Sequence, residues 1–222
     1  MVSEIRKSDK KNPVLILKEW MDEVVESKIQ PNPNSMSIST IDANNRPNSR
    51  MVLCKEINEE LGYLVFYTNY QSNKSKEIGV NNECSGLFHW DTFGYQVRVR
   101  GIIVKSPEVE SDNYFATRDI GSQLSAWASH QSQIVEDRES LDDQFQQAMD
   151  KFNLKDSELE SSDINIPRPE FWGGYRIWIR EIELWLNQKD RFHDRLLFTR
   201  KLVTTTSGIE ASNHWVIKRL QP

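Results

Sequence analysis

Past a polar stretch over residues 1–11, expected to be a mobile tail, the chain first takes on a helical period. Asn12-Pro13 supplies an N-cap and a first-turn proline, and Val14, Leu15, Leu17, Trp20, Met21, Val24 and Val25 recur at helical spacing to about Lys28. The Pro- and Asn-rich segment 30–35 is a loop. From Met36 the period falls to two, as in a half-buried strand. Strands are predicted at 35–43, 49–57, 63–69, 84–90 and 95–106, with turns at 44–47, 58–62 and 91–94. Ser72 is placed to cap a short helix running to Val80.

The helical period returns after Pro107. One helix is predicted to about Arg118, a second short helix or turn over 121–133, and a third over 138–152. An acidic and then Pro-bearing loop, 153–171, leads to three more strands at 175–186, 194–201 and 214–220. Strands that resume after the helices argue that the helices interrupt one β-structure. The expectation is a mainly β, α+β chain with an antiparallel barrel or sandwich, a single domain over 12–222 and a helical insertion at about 107–152.

Composition narrows the function. The net charge of -5, with no basic stripe, argues against nucleic-acid binding. No apolar run is long enough for a signal peptide or a membrane span, and the two cysteines, Cys54 and Cys84, are read as buried thiols of a reducing compartment, which points to the cytoplasm. Seven Trp, nine Phe and six Tyr beside 37% hydrophobic residues fit a chain that buries further surface against a second copy. The Gly-rich dinucleotide and P-loop signatures are missing, as are the zinc-protease and serine-hydrolase motifs; with four His, no metal site is expected.

Several groups of cations remain. Arg191, His193 and Arg195 alternate and would share one face of a strand, either around an anion or on a solvated edge. Tyr114, Arg118 and Ser122 are spaced by four, which on one helix face makes either a phosphate cradle or a core tyrosine beside a paired arginine. Arg50 and Lys55 flank an apolar run and, on a regular strand, point to opposite faces. They are either one group serving two ligands or two unrelated surface charges. Lys74 sits by a helix N-terminus, where anions bind, or is an ordinary surface lysine like Lys76. Trp185 either walls a flat ring or packs in the core.

Taken in order, RMVLCK (50–55), FYTNYQSNKSKE (66–77), FHW (88–90), QVRVRG (96–101), YFATR (114–118), GSQLSAWASHQS (121–132), IPRPEFWGGYR (166–176), IELW (182–185), RFHDRLLF (191–198) and RLQP (219–222) resemble the pyridoxine/pyridoxamine 5′-phosphate oxidase family from about residue 12 to the end. The resemblance implies an FMN-binding split β-barrel that works as a homodimer with the flavin at the subunit interface. It implies that Arg50 and Lys74 hold the FMN phosphate. Met51, Val52, Leu53, Cys54, Lys55, Tyr67, Thr68, Gln96, Gln131, Ser132, Trp185 and Arg195 supply further FMN contacts. Lys55, Tyr114, Arg118 and Ser122 match the cradle for the substrate phosphate, and Arg191 and His193 match residues over the substrate ring, where they take the catalytic role. The implied reaction oxidises a C4′ alcohol or amine to the aldehyde, with hydride passing to the flavin, O2 as acceptor and peroxide released. A phenazine-type flavin oxidase and a non-catalytic flavin or pyridoxal phosphate binder are the alternatives. The chain departs from the family pattern at Asn73, where the family has Arg, and at Asp119-Ile120-Gly121-Ser122, where it has Pro-Arg-x-Ser. It departs again at Ser125, at Phe192 and in the run IELWLN (182–187). Loss of the Arg before Lys74 is expected to weaken FMN binding by about 1–3 kcal/mol.

Overall fold

Asn12 accepts the Val14 amide at 3.0 Å and starts α1 (Pro13–Ser27), which ends on left-handed Lys28. The computed structural model describes residues 12–159, 164, 166–206 and 208–222, so the expected N-terminal tail lies outside the described residues. The apolar face of α1 contributes Val14, Leu17, Trp20 and Val24 to the main core, where Trp20 stacks on Tyr95 at 4.2 Å.

Among the described residues nine strands form one antiparallel sheet curled into a half-barrel. These are β1 (Ser35–Ile41), β2 (Pro47–Leu53), β3 (Glu56–Asn58), β4 (Tyr63–Asn69), β5 (Glu83–Trp90), β6 (Tyr95–Lys105), β7 (Trp172–Leu186), β8 (Asp194–Thr199) and, last in the chain, β11 (Val216–Arg219). The main order is β11-β8-β7-β6-β5-β1-β2, and β4 pairs with β3 and with the first half of β7. The alternating burial of β1, β5 and β6 is that of strands with one core face. A register shift at Arg100/Gly101 bends the β6–β7 ladder. A Cβ on Gly101 would stand 1.9 Å from the Trp178 carbonyl oxygen, so only glycine fits this bulge.

Among the described residues four more helices join the sheet: α2 (Asn73–Val80), α3 (Glu108–Ala116), α4 (Ile120–Ala128) and α5 (Arg138–Lys151). The last three build a second core from Phe115, Ile120, Leu124, Ala148 and Met149, closed on the sheet side by Trp172.

Four expectations need correction. The strand at 49–57 is two strands, because the Cys54 amide still donates to the Asn34 carbonyl beside β1 at 2.9 Å, whereas the Lys55 amide turns to the Val65 carbonyl at 2.8 Å. The opposite-face argument for Arg50 and Lys55 therefore falls. Tyr114, Arg118 and Ser122 do not share a helix, since α3 ends at Ala116 and α4 starts after Asp119, whose side chain accepts the Ser122 amide at 2.7 Å. Arg191 is not on a strand face with Arg195: Asp190 and Arg191 have φ of 58° and 59°, close a short 3-10 turn, and β8 starts only at Asp194. The extra hairpin of β9 (Leu202–Thr205) and β10 (Gly208–Ala211) was not foreseen, because its exposed strands carry little apolar alternation.

Candidate active site

A cavity of about 460 Å³ opens where β4 meets the α3–α4 corner. Three near-parallel rings form an aromatic wall: Tyr114 lies 3.9 Å from Tyr67, and Tyr67 lies 5.6 Å from Trp172. Lys55, Arg118 and Ser122 line the same cavity, so the loss of a common helix does not separate the three cradle residues or Lys55. The Arg118 guanidinium lies 4.7 Å over the Trp172 ring. Its Nη1 is buried with no hydrogen-bond partner among the described residues, and burial pulls its pKa below the usual arginine value. An orphaned buried donor costs about 1–3 kcal/mol, which an incoming anion recovers. Asp119 also lines the cavity, and the Ser122 hydroxyl and amide hold its carboxyl below the usual range. This departure from the family pattern has a local reason, since Asp119 is the N-cap of α4.

Thr68 and Gln131 connect this cavity to Lys74. Far from being a surface residue, Lys74 is buried, and its Nζ donates to Gln131 Oε1 (2.7 Å), Thr68 Oγ1 (2.9 Å) and Ser72 Oγ (3.1 Å). Among the described residues no carboxylate comes within ion-pair distance of it. Burial, and then the Arg50 charge, lower its pKa to about 8. A buried ammonium facing only neutral oxygens, with a second cation close enough to be felt, fits a phosphate group. Arg50 is half-buried on β2 and bonds Thr40 and Glu77. Met51 and Leu53 are exposed, Val52 is half-buried and Cys54 is buried, its thiol pushed up to about 12 by desolvation. Ser132, exposed after Gln131, adopts a left-handed φ of 71°.

The remaining expected residues gather on another face. Strand register places Gln96, Trp185 and Arg195 in one row across β6, β7 and β8. His193 lies beside Trp185, ring centroids 4.4 Å apart, so Trp185 is half-exposed wall rather than core. The Gln188 backbone amide donates to His193 Nδ1 at 3.2 Å. Buried Glu183 accepts from Arg98 at 2.5 Å and from Arg195 Nε at 2.8 Å. Sequence reasoning missed Glu183, and its only signal was an acid two residues before Trp185, uninformative until register sets it opposite Arg98. A second cavity of about 540 Å³ is lined by His193, Arg195 and the final residues Arg219–Pro222. It shares no lining residue with the first, and Arg191 stands exposed outside both.

Comparison with known proteins settles what kind of chain this is. A family model described as pyridoxamine 5′-phosphate oxidase matches residues 21–151, and one described as the pyridoxine 5′-phosphate oxidase C-terminal dimerisation region matches residues 172–222. The chain belongs to the pyridoxamine 5′-phosphate oxidase family. Relatives named pyridoxine/pyridoxamine 5′-phosphate oxidase include that of Paraburkholderia phytofirmans, 40% identical over 96% of this chain and 90% of the relative. That of Burkholderia mallei is 40% identical over 95% and 89%. The crystal structure of PhzG from Burkholderia lata, in complex with tetrahydrophenazine-1-carboxylic acid, superposes with a TM-score of 0.79 at 27% identity over 97% of this chain and 95% of that one. A pyridoxamine 5′-phosphate oxidase-related, FMN binding protein from Nostoc punctiforme shares the fold, with a TM-score of 0.66 at 12% identity over 93% and 96%. Membership of the family makes the chain an FMN-dependent oxidase. No described helix is long and apolar enough to cross a membrane.

Proposed function

We propose that the protein oxidises pyridoxine 5′-phosphate or pyridoxamine 5′-phosphate to pyridoxal 5′-phosphate, with O2 as acceptor and H2O2 as second product. The observation that carries this reading is the aromatic-walled cavity in which Lys55, Arg118 and Ser122 converge and Arg118 Nη1 is buried without a partner. A substrate phosphate gives that nitrogen an acceptor and brings a dianion to two cations. Such clamping fixes the far end of the molecule, and positioning can lower a barrier by about 7–11 kcal/mol at best.

When bound, FMN would supply the acceptor for the hydride of C4′. Arg50 and Lys74 hold its phosphate, and the 51–54 run, Tyr67, Thr68, Gln131 and Ser132 line it from one side. Gln96, Trp185 and Arg195 complete its surroundings from a second copy of the chain. The dimerisation region over 172–222 supports a homodimer, and the separation of the two cavities within one chain gives the dimer a reason. Arg191 and His193 then reach the substrate from the partner and orient it. With Nδ1 accepting the Gln188 amide, a neutral His193 carries its proton at Nε2 and presents a donor there. Residues 12–222 act as one unit, and the unpaired, buried Cys54 and Cys84 are consistent with a cytoplasmic setting.

The similarity to PhzG favours a second reading, a flavin oxidase of another ring substrate bearing a carboxylate in place of a phosphate. Peroxide release by FMN-loaded protein separates the two. Turnover of either B6 phosphate, lost when the phosphate is removed, is expected. Bound FMN without turnover of either phosphate removes the reading and leaves the phenazine-type oxidase or a non-catalytic binder.

A further inference from the structure

Glu77 on α2 is a buried acid that the proposed chemistry does not use. Its Oε2 accepts from Arg50 Nη2 at 3.0 Å and from the Thr40 hydroxyl, and its Oε1 accepts from Asn48 Nδ2 at 2.7 Å. Arg50 Nη1 donates to the same Thr40 hydroxyl, closing a ring of hydrogen bonds across β1, β2 and α2. Arg50 thus spends two of its five donors inward and keeps three. Lys74 lies three residues before Glu77, one turn away on the same helix, and experiences Arg50 as a repelling charge and Glu77 as an attracting one. We propose that Glu77 is a positioning residue for the cofactor: its carboxylate holds the Arg50 guanidinium and balances the Arg50–Lys74 pair, so that the site for the FMN phosphate is formed before FMN arrives. This rests on the reading that Arg50 and Lys74 hold that phosphate.

The usual expectation for an acid near a phosphate site has the opposite sign, because a carboxylate repels a dianion. That makes the test decisive. FMN and riboflavin, which lacks the phosphate, are titrated against apoprotein by quenching of flavin fluorescence, for the parent chain and for Glu77→Gln, Glu77→Asp and Lys74→Met. The expected result for Glu77→Gln is an FMN dissociation constant raised about tenfold or more, since a charge-assisted bond to Arg50 becomes a neutral one, with riboflavin affinity within about twofold of the parent. Glu77→Asp, which keeps the charge on a shorter arm, recovers part of the loss. Unchanged or tighter FMN binding in Glu77→Gln overturns the proposal, and so does an equal loss for FMN and riboflavin, which marks a merely structural acid. Should Glu77→Gln fail to fold, the same comparison is read on Glu77→Asp, where a loss confined to FMN supports the role and an equal or absent loss overturns it. Lys74→Met separates the two levels: FMN affinity unchanged there sinks the phosphate placement itself, whereas a loss there with none in the Glu77 variants sinks only the role of Glu77.

Discussion

The cavity at the α3–α4 corner and the sheet face of β6, β7 and β8 both carry arginines next to tryptophan, yet they treat those cations differently. In the cavity half-buried Arg118 lies over Trp172 with its buried Nη1 unpartnered, and exposed Lys55 has no ion pair among the described residues. On the sheet face Arg98 and Arg195 share Glu183, and Arg219 pairs with Asp194 at 2.7 Å. A cation neutralised within its own chain is held in place, whereas one left unpaired in a desolvated pocket is a binding group waiting for an anion. The first region thus offers an anion two cations not neutralised by the described residues, and the second is a wall held by its own ion pairs.

That contrast breaks most visibly at Arg118. Arg118→Ala is expected to cut kcat/KM for the phosphorylated substrate by on the order of 10²–10³-fold, mainly through KM. Thermal unfolding should stay within about 2 °C of the parent, because no internal partner is stranded. Steady-state kinetics beside calorimetry checks both, and a large loss of stability with unchanged KM would make Arg118 a structural residue. Arg191→Ala should lower turnover by about 10²-fold while FMN affinity holds, as befits an exposed side chain that acts only on the substrate. Unchanged turnover removes it from the site.

Lys74 sharpens the comparison through pH. In the free protein it loses its proton near pH 8, whereas the unfolded chain keeps it to the ordinary value of 10.5. The unfolded state therefore binds more protons between those values, and this group's contribution to apoprotein stability rises with pH there. Affinity for the FMN phosphate runs the other way and is expected to fall above about pH 8, by at most about tenfold per pH unit, with riboflavin unaffected. Parallel titrations at pH 7 to 9.5 measure it, and a flat FMN profile would separate Lys74 from the phosphate. The smallest effect belongs to Asp119→Asn. Asn caps helices as well as Asp does, so α4 should stay intact while the loss of one exposed carboxylate lowers KM for the phosphate by about two- to fivefold. An unchanged KM would leave Asp119 as a cap alone.

Much of this was legible along the chain. Asn12-Pro13, the alternation in β1 and β6, and the helices after Pro107 follow from local rules that tertiary structure did not override. What was hidden depends on long-range placement. The helical position of Lys74 reads as surface, and only the Thr68 and Gln131 oxygens brought to it from elsewhere make it a buried cation. The break at Cys54-Lys55 follows from Lys55 pairing with Val65 rather than with β1. The 3-10 turn before β8 depends on two left-handed residues, Asp190 and Arg191, neither of them glycine. Spacing put Tyr114, Arg118 and Ser122 together for a mistaken reason, a continuous helix, and the corner between α3 and α4 brings them together anyway.

The proposed site needs two copies of the chain, and complementation between two variants tests this directly. Arg118→Ala and Arg191→Ala proteins, each nearly inactive alone, are mixed under conditions that exchange subunits, and peroxide production is followed. If the cavity of one chain works with the Arg191 segment of its partner, each mixed dimer carries one site with both lesions and one with neither. Activity should then recover to about a quarter of the parent value at full exchange, half the dimers being mixed with one good site each. If both residues serve a site within one chain, every site keeps a lesion, and no recovery on mixing would contradict the account.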